Sequence, residues 1–248
     1  MRSTAFVGIL ALAGTWLASG APATAEEQLP IKEIERIVRE YLLREPQVIY
    51  QAIQELQKRQ QAEEAVRQKA MIAQNADAIF RHPDDPVAGD PKAEATLVEF
   101  FDYHCGYCRS MSPGLRALID NDTNMRFVFK DLPVLGPDSV TAARAAVAAN
   151  RLDPKKYVGL HFALMQSKDL SRDAVLAIAE RQGYDRDRLA AEMDSDWVKQ
   201  RIDENLKLAE QLGISGTPSF VVGETLIPGA VDVSQLAQLL EEQRQARN

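Results

Sequence analysis

Cys105 and Cys108 are the only two cysteines in a chain of 248 residues, and they stand three positions apart. An apolar, β-favouring run, Thr96-Leu97-Val98-Glu99-Phe100-Phe101, leads into them. After them Arg109 to Ile119 alternates at helical spacing, with Met111, Leu115 and Leu118 on one side. A strand that ends in Cys-x-x-Cys and opens a helix puts the first thiol at a helix N-terminus. Unpaired backbone N–H groups and the helix dipole there favour a thiolate over a thiol. Strand–CxxC–helix therefore reads as a redox dithiol.

Three other readings compete. A structural zinc site needs about four ligands, usually two such pairs or a pair plus histidines. His82, His104 and His161 are the only histidines, scattered and without that spacing. A purely structural disulfide across so short a loop would stabilise little, because the unfolded chain loses little entropy on closing it. Two inert, buried cysteines fit poorly with Gly106-Tyr107, a pair that belongs at an exposed corner.

Residues 1–25 read as a secretory signal peptide. Arg2 is the positive start, Ala5 to Leu17 the apolar stretch, and Ala23-Thr24-Ala25 the small-residue cleavage pattern. The apolar stretch is short of the roughly 20 residues that span a bilayer. Export to the periplasm would put the dithiol where disulfides persist. The formal charge of -7 gives no reason to expect nucleic acid as a partner.

Residues 26–84 form a helical N-terminal extension that contains no glycine. Ile31, Ile34, Val38, Tyr41 and Leu42 recur at three- and four-residue spacing, which marks an amphipathic helix. Pro46 interrupts the pattern and suits the first turn of a second helix, in which Ile49, Ala52, Ile53 and Leu56 continue the stripe. Gln57 to Glu64 is polar and helix-favouring, a stalk or hinge, and Val66, Ala70, Ile72, Ala73, Ile79 and Phe80 give a weaker second stripe. The extension either packs back on its own domain or pairs its stripe with other copies. The second reading is preferred here, because a narrow apolar stripe outside the catalytic domain must find a surface to cover it. His82 to Pro91, with three prolines and a glycine, is the boundary, and the catalytic domain covers 85–248.

Within that domain Met125 to Leu132 reads as a second long strand, ended by Pro133. A strand–helix–strand unit of this length implies parallel pairing through a right-handed crossover. A helical block follows at about 137–213, alanine-rich from Ser139 to Asn150, with helices capped at Ser171 and Asp185 and a break near Asp194. His161 falls on an apolar face there and reads as a packed histidine. Gly213 to Gly223 then reads as a turn, the Thr217-Pro218 pair and an apolar strand headed by a proline that lacks the needed N–H. A cis peptide at Thr217-Pro218 would turn the chain and leave the Thr217 backbone facing a ligand. A paired strand at Glu224 to Gly229 and an amphipathic helix from Val231 complete the chain.

Glu99 to Cys108, Lys130-Asp131-Leu132-Pro133 and Gly216-Thr217-Pro218-Ser219-Phe220, in this order, resemble a thioredoxin fold with the helical insertion of the DsbA family. With its helical leader the chain looks most like the exported ScsC-type branch, some of whose members trimerise through such leaders. The resemblance implies an α/β thioredoxin fold with a helical insertion and a helical N-terminal extension. It also implies a protein thiol:disulfide oxidoreductase with Cys105 as attacking thiolate and Cys108 as resolving thiol. Glu99 matches an acid beneath the dithiol that relays a proton for Cys108, and the Thr217–Pro218 backbone would hold the substrate chain. A protonated His104 would favour the thiolate further. Gly106-Tyr107 departs from the Pro-His pair of strongly oxidising members and is shared with disulfide isomerases of the DsbC kind. The expectation is thus an isomerase or reductase acting on exported cysteine-containing proteins and recycled by a membrane redox partner. It would assemble as a homo-oligomer, most simply a trimer, and need no cofactor or metal beyond the dithiol itself. A monomeric dithiol oxidant and a thiol protein that sequesters copper(I) are the alternatives.

Overall fold

The computed structural model describes residues 30–246, so the signal-peptide reading of 1–25 lies outside the described residues. The described residues divide into two compact units, one ending at Gln57 and one running on from Lys58.

The first unit is helical. Helix α1, Ile31–Arg44, ends where Glu45 and Pro46 break it, and α2, Gln47–Gln74, begins immediately after. Nothing on α1 is buried, and Ile34, Ile37, Val38, Tyr41, Ile49, Ile53 and Leu56 all remain exposed. The polar stretch after Leu56 continues α2 without a break.

In the second unit a five-stranded sheet has the order β1-β3-β2-β4-β5. Its strands are β1 (Val87–Gly89), β2 (Ala95–Phe101), β3 (Met125–Asp131), β4 (Ser219–Val222) and β5 (Thr225–Pro228). Strands β2 and β3 are parallel, and the other pairings are antiparallel. Strands β2 and β3 are apolar on both faces because both faces are covered, which explains their near-continuous hydrophobic runs. Leu97, Phe101, Phe127, Phe129 and Phe220 point to one face, against α4 (Gly106–Asn121), α10 (Val233–Gln245) and the helical block. That block comprises α5 (Pro137–Leu152), a short 3-10 turn at Pro154–Lys156, α6 (Tyr157–Gln166), α7 (Arg172–Arg181), α8 (Arg186–Met193) and α9 (Asp196–Gln211). The break expected near Asp194 is the gap between α8 and α9, and the Asp185 carboxylate accepts from Arg188 N–H as the α8 cap.

The opposite face is closed differently from the expected boundary at 84/85. Val98, Phe100, Val128 and Val221 pack against Leu208 of α9 and Leu212 just after it, and also against Ile72 of α2 and Ile79 of α3 (Ala76–Phe80). The weaker second stripe of the leader is therefore part of the catalytic unit's core. Lys130, fully buried on this face, donates to the Ala78 carbonyl and to Asp85, and Asp85 also takes Arg201 at 2.7 Å. Burial brings the Lys130 ammonium down to about 8, with Asp85 opposing the fall.

Candidate active site

Residues of three elements meet at the C-terminal end of β2. The strand stops at Phe101, and Asp102 turns the chain, with the Cys105 N–H donating to the Asp102 carbonyl at 3.1 Å. Cys105 is the N-cap of α4, and the Cys108 N–H is directed at its sulfur at 3.5 Å. Both thiols are free. Cys105 keeps 5% of its surface and Cys108 none, so only the first can meet another molecule without movement. The Cys105 thiol donates to the Thr217 carbonyl at 3.2 Å, and the Thr217–Pro218 peptide is cis. The sequence expectation that this pair flanks the dithiol is met in space across 112 positions of chain.

Below the dithiol lies Glu99, 1% exposed on the central strand, not at an edge. One of its carboxyl oxygens has no protein partner. Burial, and next the negative charge of Cys105, push the Glu99 carboxyl up to about 8. Burial, then the Glu99 charge, also push the Cys108 thiol well above its ordinary range. Each of these two groups ionises more easily when the other is neutral, an arrangement suited to passing one proton between them. His104, Gly106 and Tyr107 are exposed around Cys105.

The structure adds residues that motif reading had not placed at the site. Asp131 lies on the same sheet face as Glu99, buried, with one carboxyl oxygen unpartnered. Burial raises its carboxyl well above the usual range, with Arg201 opposing. Tyr103 and His161 share a hydrogen bond of 3.1 Å, and burial holds the His161 ring down to about 3, hence neutral. Asp131, at the end of a mostly apolar strand, was the signal for this polar floor, because such a residue is buried only when paired or neutral. Among the described residues no group of three or more His, Cys, Asp or Glu is placed to hold a metal ion.

A thiol at a helix N-terminus, its partner buried behind it and a cis-proline peptide beside it define a thioredoxin-fold dithiol protein. Residues 96–241 match the DSBA-like thioredoxin domain, and the chain belongs to that family of thiol–disulfide oxidoreductases. Residues 32–63 match a second model, the copper resistance protein ScsC N-terminal domain, so the chain combines the parts found in ScsC-like proteins. A thioredoxin-like oxidoreductase from Silicibacter pomeroyi DSS-3 is similar at 41% identity and TM-score 0.64, over 68% of this chain and 97% of that one. Proteus mirabilis ScsC in a transitional conformation is similar at 30% identity and TM-score 0.64, over 86% and 95%. A periplasmic thioredoxin-like protein from Salmonella enterica serovar Typhimurium is similar at 31% identity and TM-score 0.61, over 68% and 94%. The chain spans about a quarter of the length of the first curated relatives it matches. Of these the Na(+)/H(+) antiporter NhaA 1 of Salinispora arenicola is 33% identical over 159 residues, 62% of this chain and 24% of that protein.

Proposed function

We propose that the protein is an exported thiol:disulfide oxidoreductase that acts on protein disulfides, with isomerase and reductase character, as a homo-oligomer. The observation that carries this reading is the placement of Cys105 at the cap of α4, 3.2 Å from the Thr217 carbonyl, with Cys108 buried behind it. In the reducing direction the Cys105 thiolate attacks one sulfur of a substrate disulfide. That bond breaks, and the other substrate sulfur leaves as a thiolate that takes a proton from water. In the mixed disulfide Cys105 no longer carries a charge, which eases Glu99 toward its carboxylate. Once its own proton has gone to water, that carboxylate takes the Cys108 proton and the Cys108 thiolate attacks the Cys105 sulfur. The mixed disulfide breaks, the second substrate thiolate leaves, and the Cys105–Cys108 disulfide holds the two electrons' worth of oxidation. In isomerisation a different substrate thiolate attacks the mixed disulfide first, and Cys105 departs unchanged. The Thr217–Pro218 backbone lies where a substrate chain would run beside Cys105, while His104, Gly106 and Tyr107 frame the opening.

Assembly rests on the exposed apolar stripe of α1 and early α2, and on the match of 32–63 to the ScsC N-terminal domain. Three stripes packed together would cover one another, and a trimer is the simplest form. Export fits the sequence of residues 1–25 and the periplasmic relative from Salmonella. The redox partner that resets the dithiol would be a membrane protein. Trapping the cellular redox state of Cys105 and Cys108 by alkylation tests the direction: a reduced pair supports an isomerase or reductase, and a fully oxidised pair points to an oxidant.

The description of the N-terminal match favours a second reading, copper(I) held by the two thiolates. Metal capture needs no groove at Thr217. A Thr217→Arg variant that loses exchange but keeps copper affinity separates the two readings.

A further inference from the structure

Asp102 occupies the turn between β2 and α4, and its side chain is 1% exposed. One carboxyl oxygen accepts from the His104 N–H at 2.7 Å. The other accepts from the Val134 N–H at 2.8 Å and from the Leu135 N–H at 3.0 Å, residues more than thirty positions away. Three N–H donors satisfy a buried carboxylate without a cation, and bonds to a charged acceptor are the strong ones. The backbone of the same residue also belongs to the dithiol corner: its carbonyl accepts from the Cys105 N–H at 3.1 Å. One residue thus joins the dithiol corner to the turn that follows β3.

That turn carries two apolar side chains held out in the open. Val134 is 51% and Leu135 48% exposed, although the chain behind them from Phe127 to Pro133 is buried, and Tyr107 beside Cys108 is exposed as well. Apolar groups displayed next to a reactive centre mark a contact surface. Their position is fixed by the two N–H bonds to Asp102, since the turn has left the sheet after the Leu132 N–H bond to the Phe101 carbonyl.

We propose that Asp102 is a positioning residue for exchange with protein substrates: its carboxylate locks the Val134–Leu135 turn against the dithiol corner, so that an unfolded cysteine-bearing polypeptide docks its apolar side chains there while its sulfur meets Cys105. The inference rests on the exchange reading above and adds to it which face grips a protein rather than a small disulfide. Small disulfides such as oxidised glutathione need Cys105 but not the turn.

Asp102→Ser separates the two roles of the carboxylate. A serine hydroxyl still reaches the N–H two residues on, as in common turns, but is too short to span to Val134 and Leu135. Steady-state kinetics of the full-length mature protein on scrambled ribonuclease and on oxidised glutathione measure the outcome. Asp102→Ser should raise KM for scrambled ribonuclease about tenfold with kcat within about twofold, the size of one good interface contact. Its loss of kcat/KM on oxidised glutathione should be several-fold smaller. The surface variant Val134→Ser/Leu135→Ser, which removes no buried bond, should raise the same KM to the same extent. Combining it with Asp102→Ser should add little, since both act through one turn. Equal losses on the two substrates, or an unchanged KM in the surface variant, would overturn the inference while leaving the exchange reading in place. A wild-type protein that turns over neither substrate would overturn the exchange reading and this inference with it.

Discussion

Glu99, the proton acceptor proposed for Cys108, stands where it costs stability. It stands on the central strand where its neighbours Val98 and Phe100 are fully buried, and no cation compensates it. Unfolded, its carboxyl ionises near 4.5; folded, it keeps its proton up to about 8. Between those values the folded protein binds more protons than the unfolded one. Stability from this group is therefore complete below pH 4.5 and is lost as pH rises to about 8. Glu99→Gln should leave stability unchanged near pH 4.5 and raise it progressively toward neutrality, by up to about 3 kcal/mol at pH 7. Chemical denaturation at several pH values measures this. A gain that is largest in acid would refute the buried-acid assignment. The same variant should slow the Cys108 step by about tenfold or more, the usual scale of a lost general base, while attack by Cys105 stays within a few-fold. Stopped-flow resolution of a preformed mixed disulfide reads that step directly.

At the scale of elements, α4 is what would make Cys105 the attacking thiol. Its first turn opens at Cys105, where the helix dipole acts, and its first inward-facing side chain is Cys108. Cys105→Ser should abolish exchange, and Cys108→Ser should accumulate mixed disulfides with exported proteins, visible on non-reducing gels. If Cys108 is alkylated faster than Cys105 at mildly acidic pH, the roles are reversed. Helix α5 is an element of another kind, with Ala142, Ala143, Ala145, Ala146, Ala148 and Ala149 all buried. Small side chains around most of its circumference let helices α6 to α9 approach it closely, so it has no room for a larger residue. Ala146→Leu should destabilise by about 1–3 kcal/mol through overpacking, with exchange kinetics of the folded fraction unchanged. Thermal melts check this, and a neutral result would mean that a void adjoins the helix.

On the scale of the whole molecule, the leader divides within α2. Up to Leu56 its apolar residues are exposed, whereas Ile72 and Ile79 are buried in the sheet's second core. Deleting residues 26–61 removes only the exposed part. That variant should be a monomer by light scattering, should still reduce small disulfides, and should lose isomerisation, which benefits from several dithiols near one substrate. A wild-type monomer at micromolar concentration would leave a monomeric oxidoreductase as the better reading. Extending the deletion to residue 84 should be far more damaging. It exposes Val98, Phe100 and Val128, and it strips the Ala78 carbonyl from the buried Lys130 ammonium. Losing even one buried isoleucine costs about 2–5 kcal/mol, so this variant should be largely unfolded at 37 °C by circular dichroism.

What the amino-acid order determined by itself was whatever is encoded locally. The apolar, β-favouring runs of β2 and β3, the helical spacing after Cys108, the Pro46 break and the Asp185 cap could each be read from a few neighbouring residues. So could the dithiol, because a helix N-terminus acts on its own first residue. The Thr217–Pro218 pair was legible through the single fact that proline cannot donate in a strand. Only the tertiary structure decided which groups share a space across long stretches of chain. It brought Thr217 to Cys105, the Val134–Leu135 turn to Asp102, and Asp85 with Arg201 to Lys130. It also placed Ile72 and Ile79 of the leader in the catalytic unit's core, where the helical pattern alone showed only an apolar face. An amphipathic stripe states that a face must be covered, but it carries no information about which surface covers it. Burial, and with it the raised Glu99 and the lowered Lys130 ionisation, exists only once distant segments have closed around a side chain.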